Sequence, residues 1–134
     1  MSPALLLESV FNSFLLILMK LYGIPNCNTV KKARTWLEQN RIGYEFHDFK
    51  KSGVDAALLN GWLSQLSWEK LVNRAGMTWR NLPDAEKTAI TDAASALPLM
   101  LTKSSVIKRL ILVKDGKILQ LGFDEANYRR LFSK

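Results

Sequence analysis

The chain predicts one small α/β domain, a mixed sheet with flanking helices. Three observations carry that prediction. A short apolar stretch at 19–22 leads into a helical pattern and then an alternating stretch, which together make a βαβ unit. The middle of the chain, 55–96, holds helical periodicity only. Near the end, two apolar stretches flank Asp115-Gly116, a hairpin signal, and a last helical pattern follows them.

The bulk numbers fit that picture. A chain of 134 residues suits one domain, and 48% hydrophobic residues can fill a sizeable core. A single cysteine excludes an intramolecular disulfide framework and suits a reducing, cytoplasmic setting. One cysteine and one histidine leave no zinc site, so no bound metal or cofactor is expected. The net charge of +7 comes from scattered Lys and Arg, with small groups at 31–34, 108–109 and 129–130. No nucleic-acid module accompanies them, so direct nucleic-acid binding is not expected, whereas a site for a small anion such as glutathione is.

Taken in order, residues 1–18 read differently from the rest. They carry apolar runs with no Lys or Arg, lack the marks of a secretory signal, and are too interrupted to span a bilayer. They are assigned as an apolar N-terminal extension or start-site artefact, and 19–134 as the domain. The first strand is 19–22. The first helix is 29–39, with Val30, Ala33 and Leu37 on its core stripe and Trp36 flanking it. Residues 44–49 alternate as a half-buried strand, which leaves His47 as an exposed strand histidine. Helices follow at 55–66, 68–74 and, capped by Asp84 after a loop, 84–96. Trp62, Trp68 and Trp79 fall in this helical section and are assigned to the core. Residues 97–105 turn. Leu110-Ile111-Leu112-Val113 reads as a strand buried on both faces, 118–121 as its antiparallel partner, and Asp124 as the cap of a helix through 132. The order βαβ, helical insertion, ββα is that of a thioredoxin-like domain.

The chemistry concentrates at the first strand–helix junction, Leu21-Tyr22-Gly23-Ile24-Pro25-Asn26-Cys27-Asn28-Thr29. The first N–H groups of a helix have no intrahelical partner and, with the helix dipole, favour a bound anion or a thiolate. Lys31, Lys32 and Arg34 follow within two turns, where the dipole alone would not favour cations. Cys27 is therefore the candidate nucleophile. Thiol redox chemistry needs a second thiol to reset the first, and this chain has one sulfur of that kind. Position 30, where a CxxC motif would resolve the first thiol, is Val30. Any reductase cycle must therefore borrow the resolving thiol from a small molecule such as glutathione, or from a partner glutaredoxin.

Four stretches carry a family resemblance: the junction through Cys27, the pair Leu71-Val72-Asn73-Arg74 and Thr78-Trp79-Arg80, Thr91-Asp92-Ala93-Ala94, and Ile107-Lys108-Arg109. With them, 20–134 resembles the arsenate reductase (ArsC-type) family, which also includes the Spx regulators. It looks most like the small YffB-like members, proposed to be glutathione-dependent thiol reductases. The resemblance implies a monomer with a small oxyanion or thiol substrate. It implies Arg109 as an oxyanion-holding arginine, for which forked guanidinium donors are suited, and Arg74 as a second. Asn28 and Thr29 complete the candidate substrate-binding set.

The chain departs from the arsenate-reducing pattern at four places. Gly23 stands where those members carry a thiol-activating histidine, and Val30 where they carry a serine. Their third anion arginine falls near Leu121, and their cis-proline after Arg109 is Leu110. A cis bond before a non-proline residue is costly, so a trans peptide and a shifted loop are expected. These departures rank a glutathione-linked thiol reductase first, an arsenate reductase using glutathione or glutaredoxin second, and a non-enzymatic Spx-like regulator binding RNA polymerase third.

Overall fold

The computed structural model describes residues 19–133, and the assigned extension 1–18 lies outside them. Strand β1 (Met19–Gly23) leads to helix α1 (Asn28–Gln39) and then to strand β2 (Glu45–Asp48). Six short helices follow: α2 (Phe49–Ser52), α3 (Ala56–Leu63), α4 (Trp68–Leu71), α5 (Met77–Arg80), α6 (Asp84–Ala89) and α7 (Ala93–Thr102). After a 3₁₀ turn at Ser104–Val106, β3 (Ile111–Lys114), β4 (Lys117–Leu121) and α8 (Glu125–Phe132) close the domain. The four strands form one sheet in the order β2-β1-β3-β4. β1 and β2 are parallel, with Tyr22 opposite His47, and the other two pairings are antiparallel. This is the thioredoxin-like arrangement the element order predicts.

Strand alternation divides the core into two layers. On one face, Leu21 and Leu112 pack with Val30, Ala33, Trp36 and Leu37 of α1 and with Tyr128 of α8. On the other, Tyr22, Ile111 and Val113 pack with Phe49, Trp62 and Met100. Between the layers, Ile111, Leu112 and Val113 are all buried, as expected of a strand covered on both sides. Asp115 and Gly116 both take positive φ, 53° and 78°, which is what the two-residue hairpin turn between β3 and β4 requires. Gln65 holds that hairpin from outside, donating to the Gly116 carbonyl at 2.8 Å and accepting from the Ile118 amide at 2.7 Å.

The insertion departs from its predicted boundaries where local caps win. The single helix expected over 84–96 is two. Pro83 takes the N-cap position of α6, and Asp92 starts α7 with a reciprocal capping box. The Asp92 carboxylate accepts from the Ser95 amide at 2.8 Å, while Ser95 Oγ accepts from the Asp92 amide at 3.1 Å. Helix α7 then runs through Pro98 to Thr102, where a turn was expected. Full burial of Ala96 and Met100 holds it in place against the lost amide donor. A four-residue helix, α5, forms in the expected loop.

His47 is corrected as well. It is half-buried: its Nε2 lies 2.7 Å from the Gly53 carbonyl and its ring 4.8 Å from that of Tyr22. Trp62 is a core residue, whereas Trp68 and Trp79 are half-buried against that core with ring centroids 6.4 Å apart.

Tyr128 carries the one described buried side-chain polar atom with no hydrogen-bond partner, its hydroxyl. Burial raises its pKa far above the ordinary phenol range. The ring meets Trp36 and Phe123 edge-on at 5.5 and 4.9 Å. A buried hydroxyl without a partner keeps its desolvation penalty and gains nothing back. Tyr128→Phe is therefore expected to stabilise the domain by about 1 kcal/mol, seen as a higher urea midpoint at unchanged slope.

Candidate active site

Cys27 is the N-cap of α1. Its backbone is extended (φ −141°, ψ 127°), and its carbonyl accepts the first helical bond from the Lys31 amide at 2.9 Å. No side chain caps this helix. The amides of Asn28 and Thr29 thus open the helix beside the thiol without a side-chain acceptor. No acidic residue stands in the first turn. Pro25 and Asn26 are exposed and Cys27 is partly so, so the thiol sits at the rim, packed from below by the α1 layer of the core.

The floor beneath it is apolar. A Cβ added at Gly23 would lie 2.9 Å from Val30 Cγ2 and 3.6 Å from Leu110 Cβ. Val30 and Leu110 are fully buried. Three of the four positions at which the chain departs from the arsenate-reducing pattern therefore meet at one point. Val30 fills the space that a side chain at 23 would need. Sequence reasoning found the departures singly and missed their contact, although a side chain lost at 23 beside branching gained at 30 was the available signal.

The Arg109–Leu110 peptide is cis, contrary to the trans bond expected. Leu110 is buried: its side chain joins the Cys27 layer and its carbonyl accepts from the Gly122 amide at 2.8 Å. Arg109 precedes it, exposed.

The loop bearing Arg109 is tied to the one bearing Arg74. Val72 and Ile107 form an antiparallel bridge, Asn73 N donates to Val106 O at 2.8 Å, and Lys108 N donates to Leu71 O at 2.7 Å. Arg74 itself turns outward. Its guanidinium lies 3.3 Å from the Glu69 carboxylate and 5.5 Å from the centre of the Trp68 ring. An exposed pair of that kind contributes little, so it does not lock the side chain there. The fold thus brings Cys27, Asn28, Thr29 and the 109–110 peptide to one end of the sheet, with the Arg74 loop hydrogen-bonded alongside.

The family model described as the ArsC family matches residues 22–131. The chain belongs to the ArsC family. An arsenate reductase (ArsC) related protein from Brucella melitensis is 48% identical, with 87% of this chain and 95% of that one covered at a TM-score of 0.69. A YffB protein is 43% identical, with 84% and 96% covered at a TM-score of 0.78. The global transcriptional regulator Spx of Streptococcus pyogenes is 26% identical over 120 residues, 87% of each chain. Within this ArsC-family chain, the described residues bring no three His, Cys, Asp or Glu side chains together as metal ligands, and no described helix is long and apolar enough to cross a membrane.

Proposed function

We propose that this ArsC-family chain is a single-cysteine thiol reductase that borrows its second thiol from glutathione. The observation that carries the reading is the position of Cys27, the chain's only cysteine, partly exposed at an uncapped helix N-terminus. In the first step the Cys27 thiolate attacks the glutathionyl sulfur of a mixed disulfide. A Cys27–glutathione disulfide forms and the substrate leaves as its thiolate, to be protonated by solvent. In the second, the thiolate of a reduced glutathione attacks the glutathionyl sulfur of that adduct. Glutathione disulfide leaves and the Cys27 thiolate is restored. Over the cycle one reduced glutathione is consumed: the substrate leaves as a thiol, and the glutathione disulfide joins that glutathione to the glutathionyl group taken from the substrate. Asn28 and Thr29 supply amides beside the reacting sulfur, and Arg109 supplies a cation at the same end of the sheet. Cytoplasmic glutathione or a glutaredoxin would serve as the reductant.

The test is mass spectrometry of the reduced protein after incubation with glutathione disulfide. One glutathionyl adduct on Cys27, released by reduced glutathione, is expected. Disulfide reduction coupled to glutathione reductase should accompany it. Absence of the adduct under conditions that modify a free cysteine would overturn the reading. Robust turnover of arsenate with glutathione and glutaredoxin would move the assignment to arsenate reduction, against the space that Val30 takes beside Gly23. The likeness to Spx favours one further reading, a polymerase-binding regulator. Capture of RNA polymerase by a chain that forms no adduct would support it.

A further inference from the structure

We infer that the cleft between α1 and the start of α8 binds the charged arms of glutathione while its sulfur is at Cys27. This inference rests on the thiol-reductase reading above and assigns the site that recognises the co-substrate. The cleft has a volume of about 340 Å³ and is lined by Lys31, Lys32, Thr35 and Trp36 on one side and by Phe123 and Glu125 on the other. That volume lies near the lower end of small-ligand sites and suits a tripeptide.

Position connects the cleft to the thiol. Lys31, Thr35 and Cys27 are spaced four residues apart, so they follow one stripe of α1, and each step rises about 6 Å along the axis. The opposite wall is tied to the same place. Gly122 donates to the Leu110 carbonyl at 2.8 Å, and Phe123 follows it directly. Cys27 and Phe123 pack against the same core layer as Leu110. The cleft therefore begins one helical turn from the sulfur, within reach of an extended glutathione.

Charge and shape match the ligand's chemistry. Glutathione carries two carboxylates and one ammonium. The cleft offers two ammonium groups, Lys31 and Lys32, which form no ion pair among the described residues, and one carboxylate, Glu125. Glu125 Oε1 accepts from Arg129 at 3.0 Å, and no other hydrogen bond reaches that carboxylate among the described residues. The apolar walls, Trp36 and Phe123, are held apart by the ring of Tyr128, which meets both edge-on. Two cations near the N-terminus of a helix are disfavoured by its dipole, and a bound ligand that brings two carboxylates offsets that.

The experiment has two arms on the full chain. In the first, amide NMR shifts are followed on titration with S-methylglutathione, which cannot react. Shifts clustering at Lys31, Thr35, Phe123 and Glu125 are expected. In the second, the rate of Cys27 modification by glutathione disulfide is compared with that by uncharged 2-hydroxyethyl disulfide. Lys31→Glu with Lys32→Glu should slow the first roughly tenfold and leave the second within about twofold. Lys114→Glu with Lys117→Glu, the same charge change on two exposed lysines of the β3–β4 hairpin, should alter neither. Shifts elsewhere or nowhere, or equal slowing by the hairpin double variant, would overturn the cleft assignment with the thiol-reductase reading intact. Failure of the unsubstituted protein to form any adduct would overturn that reading instead, and the S-methylglutathione arm would still decide the cleft.

Discussion

Cys27→Ser should lower glutathione-dependent disulfide turnover by at least about a thousandfold and abolish the mass adduct, because no other cysteine can form the mixed disulfide. The same substitution should leave the fold intact and raise its stability slightly. Residue 27 is the N-cap of α1, yet its side chain makes no capping bond. Serine is among the preferred N-cap residues, with an oxygen able to accept from the amide two or three residues on. A gain of several tenths of a kcal/mol, up to about 1, is expected in urea denaturation. Activity and stability thus move in opposite directions. Loss of activity through unfolding would lower both, and retention of turnover by the serine variant would remove Cys27 from the mechanism.

The second large effect concerns the floor of the site. Gly23→Ala is expected to destabilise the domain by about 1–3 kcal/mol through steric overlap with Val30. The backbone at Gly23 is outside the left-handed region, so an added Cβ is not opposed by φ. It is opposed by Val30 Cγ2 at 2.9 Å, on a fully buried β-branched side chain that cannot swing away. Val30→Ala alone is also destabilising, since it opens a cavity. The double variant should lose less than the sum of the two, by about 1 kcal/mol, because the new Cβ enters the space the valine leaves. Chemical denaturation of the four proteins measures the coupling. Strict additivity would mean that 23 and 30 do not share that space.

That coupling bears on function. A side chain at 23 able to assist the thiol cannot be installed while Val30 is present. Gly23, Val30 and Leu110 together make a floor with no polar side chain beneath Cys27. Whatever activates the sulfur must come from the open amides of α1 and from cations at the rim. That floor suits the proposed disulfide exchange, for which a helix terminus and an external thiol suffice.

Much of this was legible in the chain. The apolar run at 19–22, the stripe of Val30, Ala33 and Leu37, and the Asp115-Gly116 turn each specify local structure through near-neighbour rules, and each element formed where expected. The insertion was less legible. Asp84 reads as the cap of one helix over 84–96, but Pro83 takes the N-cap position and the reciprocal Asp92–Ser95 bonds start a second helix. His47 looked exposed because alternation gives the face of a strand but not what lies against that face. Here it is Tyr22 on the neighbouring strand.

By itself, the sequence determined the α/β class and the single cysteine, and with it that any thiol cycle would need an external second thiol, because these follow from short-range periodicity and from counting cysteines. Only the tertiary structure decided that Gly23, Val30 and Leu110 touch, that Arg74 faces Glu69 while its loop pairs with that of Arg109, and that Phe123 and Glu125 face Lys31 and Lys32 across a cleft. Apart from Arg74 and Glu69, five residues apart, those pairs lie from 7 to more than 90 residues apart in the chain. No local rule joins residues at such separations; the sheet order and the packing of α1 and α8 on one face bring them together.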